Sequence, residues 1–555
     1  MSKITTRSYI VLATLFLSLA IGSNAQTTGF SYKIRPTPLS DRTELNISLS
    51  FQNKNSEPLT VKLPSDCFGT PDLSKYVSRF EGIAGTTVQD AESSTERRVK
   101  PNSDGTVSLR YTLSYDPKAM DASPYSPNTS AGHFHLAGCQ YLLPIGDINQ
   151  KVPYQIEIDG IPSGWKIYST ISANASKYSV QSSYDDLSSS AIGGGANGHI
   201  FNTKKGRVAV FAHGDLHIPR AKIYASIEQI IRAERAWFND YEQPNYTIVV
   251  APRSNVNAGY APDNGFICFV DPKTKIEDLN VLVAHEFFHN WLPNKIEIIQ
   301  DKKYSDVRLE WFSEGFTDYF ARKILTEAKL MTADEIVTWV NQNTHNIADN
   351  PHRAKGYDEL IDLGKTGKFD GVAKKLAYFR GALIALNWDA QIRRSRKDKD
   401  LGDLIRELYR LAAASKGNIT EDTLVKIASE NGVDAKGDIE RYIMRGEPIV
   451  PDERAIPRYR LHLIEKPSFE IGFSLEETRK AKKVTAVNKN GPAYKAGLRD
   501  GMGFVSVENA YRFSNAWKPD LPLIVKVTIN GEEKHVEYFP HGVSFKIAVF
   551  TRMEK

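Results

Sequence analysis

The sequence predicts a multidomain α+β protein, and three observations carry that prediction. Residues 30–180 hold short runs of alternating apolar and polar positions, among them Leu45-Asn-Ile-Ser-Leu-Ser-Phe, Val107-Ser-Leu-Arg-Tyr-Thr-Leu and Tyr154-Gln-Ile-Glu-Ile. A period of two, with turn residues between the runs, marks strands buried on one face. From Asp278 to about Met444 the apolar spacing is that of helices. From about Ile456 the tail returns to short β-rich runs.

The first 25 residues read as a secretory leader. Lys3 and Arg7 precede an apolar stretch at 9–21, and Ser23-Asn24-Ala25 suits cleavage before Gln26. The apolar run is too short to span a bilayer, and no later stretch is long and apolar enough. The expected location is therefore exported, periplasmic or secreted, with no membrane span. Residues 26–190 then form an N-terminal β-sandwich domain. The Gly- and Ser-rich run Ser188-Ser-Ser-Ala-Ile-Gly-Gly-Gly-Ala-Asn-Gly is read as the loop that ends it. A second domain covers 200–450. It opens with strands at 207–211 and 246–250 around an amphipathic helix at 221–238, and continues as helices. The third domain is 456–555. The three cysteines leave two readings open: Cys67 pairs with Cys139 and Cys268 stays free, or all three are reduced.

The chemistry concentrates in Val-Ala-His-Glu-Phe-Phe-His-Asn-Trp, where His285, Glu286 and His289 spell H-E-x-x-H. Residues 276–292 lack Gly and Pro, carry Leu279, Leu282 and Val283 at helical spacing and stop at Pro293, so a helix is expected there. On a helix, positions i and i+4 share a face. Both imidazoles can then hold one zinc ion, and Glu286 can act on the attacking water.

Two histidines leave a catalytic zinc site one protein ligand short. Glu314 is the candidate third ligand, in the aromatic-rich run Trp311-Phe-Ser-Glu-Gly-Phe-Thr-Asp-Tyr-Phe. Asp318 lies four residues on, where it can accept from the outer nitrogen of a ligand histidine and aim its ring. A buried carboxylate needs a partner, and a metal would serve. Farther on, Ala377-Tyr-Phe-Arg-Gly-Ala opens another helix. On its own, Tyr378 reads as a packed aromatic, with Gly381 admitting a close neighbour.

These pieces, in this order, resemble the gluzincin zinc metallopeptidases, and within them the glycyl aminopeptidase family. His285 to Trp291 and Glu314 to Tyr319 carry the resemblance. It implies a thermolysin-like α/β plus helical catalytic domain with one zinc per chain, held by His285, His289 and Glu314. It also implies Glu286 as the base and Tyr378 as a donor to the developing oxyanion. In a thermolysin-like domain an edge strand holds extended substrate, and residues 265–270 are expected to be that strand, with Gly265 and Phe266 as contacts. The family's usual Gly-Gly-Leu/Met-Glu segment is replaced by 257–266, so its amine-binding glutamate is absent. Asp263 is the nearest acid that could serve instead. The run from Gly491 to Met502 resembles the short helix and turn of a PDZ domain. Ile471-Gly472-Phe473 stands where such domains capture a peptide C-terminus.

Formal net charge is +5, or +3 without Lys3 and Arg7, with no basic stripe, so nucleic acid is excluded as a partner. Peptide or protein substrates are expected. Three functions stay open at this point: an aminopeptidase, an endopeptidase that needs no free amine, and a secreted peptide-binding protein on a peptidase fold.

Overall fold

The computed structural model describes residues 27–115, 125–243, 245–254, 258–299, 309–365, 371–415, 419–509 and 520–554. The expected leader at 1–25 lies outside them. Among the described residues no helix is long and apolar enough to cross a membrane. The chain divides into two compact units, Met1–Leu216 with Glu242–Pro272, and His217–Tyr241 with Lys273–Lys555. Several sheets and 13 α-helices among the described residues make it a multidomain α+β protein.

The first unit is led by a six-stranded sheet ordered Lys177–Ser182, Val152–Ile158, Thr27–Pro38, Thr43–Asn53, Thr106–Leu113, Val77–Gly82. Its hydrophobic alternation sets the register. Ile47 faces Tyr111 and Leu49 faces Leu109, and all four are buried. Val61 and Val99 from a three-stranded sheet, and Phe134, Leu136 and Ile192 from a four-stranded one, complete the same core. Cys67 and Cys139 are joined as a disulfide with α-carbons 5.6 Å apart, and Cys268 is free and buried.

Two sequence expectations are corrected here. The run read as a boundary loop contains a fully buried strand, Ala191–Gly195, paired with His133–Ala137 and Lys166–Ser169. Its glycines serve packing. A β-carbon on Gly193 would overlap the Tyr168 ring, and one on Gly194 would overlap Ile167. The second correction concerns a five-stranded sheet ordered Gly198–Thr203, Gly206–Ala212, Asn245–Pro252, Gly265–Val270, Ala258–Tyr260. Gly265–Val270 is not its edge. The chain turns back after Pro252 and lays Ala258–Tyr260 antiparallel against Ile267–Phe269, taking up that side of the ladder. All six residues of Gly265–Val270 are buried, as a continuous apolar run between neighbours on both sides requires.

In the second unit, helix Arg220–Phe238 packs on Ile276–Phe288 through the Ser226–Asn280 hydrogen bond (2.6 Å) and the Phe238 and Phe288 rings, 5.4 Å apart. The Ile276–Phe288 helix ends four residues short of the expected 292. His289 caps it, and turns run through Leu292 to Pro293, which has no N–H to extend the ladder. A π-helix, Trp311–Phe316, leads into helix Thr317–Glu327, and the 25-residue helix Gly371–Ser395 crosses them. In the tail, Tyr459–Phe469 and His541–Arg552 form a long antiparallel ribbon. Asn341 ties this ribbon to helix Ala333–Asp349 by bonding both the carbonyl and the N–H of Phe550. A three-stranded sheet, Gly503–Glu508, Leu523–Ile529 and Glu532–Tyr538, and a short helix, Pro492–Lys495, share a core around Phe473, Leu498 and Val525.

Candidate active site

His285 stands near the end of its helix and His289 is the capping residue, so one helical face presents both rings. Each ring is held from behind. His285 Nδ1 lies 3.1 Å from Asp318 Oδ1, and His289 Nδ1 lies 2.8 Å from the Leu292 carbonyl. That carbonyl is available because the helix has already ended. A carboxylate and a carbonyl are acceptors, so each ring carries its proton on Nδ1 and turns an Nε2 lone pair forward.

Three forward atoms converge. The two Nε2 atoms are 3.1 Å apart, and Glu314 Oε2 lies 3.2 Å from that of His285 and 3.5 Å from that of His289. Tetrahedral zinc with bonds near 2.0–2.2 Å requires ligand atoms about 3.3–3.5 Å apart. Two lone pairs and a carboxylate oxygen facing one another call for a cation, so these residues fit zinc. Among the described residues they are the group that could hold a metal ion.

Electrostatics follow from this crowding. Burial pulls the pKa of His285 down, but the bonds to Asp318 and Glu314 outweigh it and raise the value to about 9 without metal. Burial pushes Asp318 up, yet the Arg322 charge and the His285 bond bring it down to about 2. Glu314 is likewise held low against its burial by the His285 and His289 rings beside it. Asp318 is thus a carboxylate at any ordinary pH, clamped between His285 and the Arg322 guanidinium at 2.9 Å. Arg322 in turn lies 4.3 Å over the Trp339 ring.

Glu314 sits inside the π-helix, whose wider turn is a feature often found at functional sites. Opposite it, Tyr378 stacks on His285 with ring centroids 6.3 Å apart and planes at 11°. Burial, then the Glu314 charge and hydrogen bond, raise the Tyr378 hydroxyl far above its usual pKa, so it stays a proton donor. Glu286 is half-buried beside His285. The structure thus brings His285, Glu286, His289, Glu314, Asp318 and Tyr378 together. Asp263, Gly265 and Phe266 belong to the first unit. Asp263 is exposed in a turn, while Gly265 and Phe266 are buried.

Two participants were not read from the sequence. Arg322 follows Asp318 by four residues, a helical acid–base pairing that could have been noticed. Gly315 is the other. A β-carbon on Gly381 would overlap the Trp311 carbonyl, and one on Gly315 would overlap Gly381, so the π-helix and the Tyr378 helix touch backbone to backbone. No local signal marks Gly315 as half of that contact.

Three residues that could hold a metal ion, with a glutamate and a tyrosine beside them, are a set that metallopeptidase chemistry could use. The sequence profile described as M61 glycyl aminopeptidase matches residues 278–358, the segment with the metal-binding and Glu-Gly-Phe-Thr motifs. The resemblance implied by those motifs is therefore shown. Among solved structures, the chain is similar to an aminopeptidase N family protein from Idiomarina loihiensis, at 16% identity and a TM-score of 0.65, over 95% of this chain and 98% of that one. At that identity the likeness speaks for the fold. Weaker matches are an M1 zinc metallopeptidase from Deinococcus radiodurans (13% identity, TM-score 0.36, 77% of this chain and 95% of that one) and a yeast LTA4 hydrolase in complex with bestatin (14%, 0.38, 77% and 68%). Their TM-scores carry no argument.

Proposed function

We propose that this protein is an exported zinc aminopeptidase. The observation that carries the zinc reading is the convergence of two tautomer-fixed histidine lone pairs and the Glu314 carboxylate at tetrahedral spacing. Zinc, when bound, would supply Lewis acidity at the scissile carbonyl and at the attacking water. Glu286 takes the water's proton on its carboxylate and passes it to the leaving amine. The Tyr378 hydroxyl donates to the oxyanion as it forms. Asp318 keeps the His285 proton on Nδ1.

The aminopeptidase reading is supported by the glycyl aminopeptidase match. Asp263 is proposed as a partner for the substrate's ammonium, with Gly265 and Phe266 on the strand that follows it. The Cys67–Cys139 disulfide favours an oxidising compartment and so supports export. We carry the remaining divisions, a β-sandwich at 26–190, a catalytic domain at 200–450 and a PDZ-like domain at 456–555, as part of the same proposal. The groove helix a PDZ domain needs would fall within 509–523, of which 510–519 lie outside the described residues.

The experiment is a metal analysis paired with a matched digest. Purified protein should hold about one zinc per chain. Glu286→Gln should keep the zinc and lose about 10²–10⁴ in turnover. Peptides with a free amine should be trimmed from the N-terminus, and their N-acetylated twins should be spared. Internal cleavage of the acetylated twin at an equal rate would establish an endopeptidase instead.

A further inference from the structure

An aminopeptidase must pair its substrate's ammonium with a fixed carboxylate, because burying that charge alone is costly. The second unit, which carries His285, His289 and Glu314, offers such an acid.

Glu310 immediately precedes the π-helix that carries Glu314. Four residues separate the two, so their side chains leave the helix about one turn apart, with β-carbons roughly 5–6 Å from each other. On the facing helix, Lys374 precedes Tyr378 by the same four residues. The pairs match across the crossing. Tyr378 lies at the metal-ligand end, its ring stacked on that of His285, and Lys374 Nζ lies 3.6 Å from Glu310 Oε1. This makes a two-rung ladder, with the upper rung at the metal ligands and the lower rung one turn away. The backbone contact of Gly315 with Gly381 brings the two helices close enough for both rungs.

The lower rung is already an alkylammonium on a carboxylate. Glu310 is only 19% exposed, so its position is set by packing, whereas Lys374 is 50% exposed and on a long stem that can swing into solvent. The distance scale suits a chain-terminal substrate. In such a substrate the ammonium nitrogen lies two bonds, about 2.5 Å, from the scissile carbonyl carbon. An acid one helical turn from a metal ligand therefore reaches an ammonium whose carbonyl is at the metal.

We propose that Glu310 receives the substrate's α-ammonium, displacing Lys374. The substrate class is then peptides with a free, protonated N-terminus. This inference rests on the aminopeptidase reading.

The test measures kcat/KM for a free-amine tripeptide and for its des-amino twin, in which hydrogen replaces the ammonium. The ratio of the two is the readout. Full-length Glu310→Gln should lower that ratio by about 10- to 100-fold, the usual worth of a hydrogen bond to a charged group. It should do so with zinc content and melting temperature unchanged. Lys374→Gln should raise the ratio, because an internal competitor is gone; a purely structural ion pair would give no such gain. If the parent shows a high ratio and Glu310→Gln keeps it, Glu310 is not the anchor while the aminopeptidase reading stands. A parent ratio near one overturns both. If Glu310→Gln does not fold, Lys374→Gln decides alone, and an unchanged or lowered ratio overturns the inference.

Discussion

Gly315 and Gly381 meet backbone to backbone where the π-helix Trp311–Phe316 crosses the helix Gly371–Ser395. Neither position has room for a β-carbon. The contact places Glu314, next to Gly315, against Tyr378, one turn before Gly381. Gly381→Ala should therefore destabilise the protein by about 1–3 kcal/mol, the usual cost of overpacking, and also lower turnover as Tyr378 moves from Glu314. Gly315→Ala should do the same. Because the two share one contact, the double variant should cost less than the sum of the singles. Additive losses in a denaturation series would show that the glycines act separately.

Tyr378 separates a chemical role from a packing role. Tyr378→Phe keeps the ring that stacks on His285 and removes only the hydroxyl. Turnover should fall by about 10²–10³, with KM and melting temperature close to the parent's. A fall in stability in step with the fall in activity would identify Tyr378 as a packed aromatic.

Asp318 sets the tautomer of His285 from behind the metal site. Asp318→Asn can present an N–H to Nδ1, which would move the ring proton to Nε2, where it faces the metal position. Zinc affinity should drop about 10- to 100-fold, read by competition with a chelator. Arg322→Met should have a smaller effect in the same direction, since it removes the charge that holds Asp318 in place. Parent-like zinc affinity in Asp318→Asn would remove Asp318 from the metal-supporting role.

Glu234 makes a prediction about pH. It is fully buried on helix Arg220–Phe238, and neither carboxylate oxygen has a hydrogen-bond partner among the described residues. Burial raises its pKa well above the usual 4.5, so the folded protein keeps it protonated. Below that usual value both states hold the proton and nothing is lost. As pH rises toward the folded value, the unfolded chain releases its proton first and stability falls. Glu234→Met should therefore stabilise more at pH 8 than at pH 4, by about 1–3 kcal/mol, in urea titrations at the two pH values. An equal shift at both would show that Glu234 ionises freely in the fold.

Five of the six residues brought together at the site were legible because their signal is local; Tyr378 entered only through the family resemblance. His285, Glu286 and His289 lie within one helical turn or so, and Glu314 and Asp318 within another, so spacing alone puts each set on a common face. Three strands of the six-stranded sheet, Thr43–Asn53, Thr106–Leu113 and Val152–Ile158, were legible for the same reason, since alternation is a property of neighbours in the chain. What tertiary structure decided depends on segments far apart in sequence. Ala191–Gly195 looked like a loop because its glycines suit a turn, yet they leave room for Tyr168 and Ile167. Gly265–Val270 looked like an edge, and the return of Ala258–Tyr260 made it an inner strand. The two cysteine readings were equal until the fold brought Cys67 to Cys139 across 72 residues. Sequence periodicity determines which face of an element is apolar and which residues share it. Which distant element covers that face is decided by packing, because close contact depends on the shapes of both partners at once.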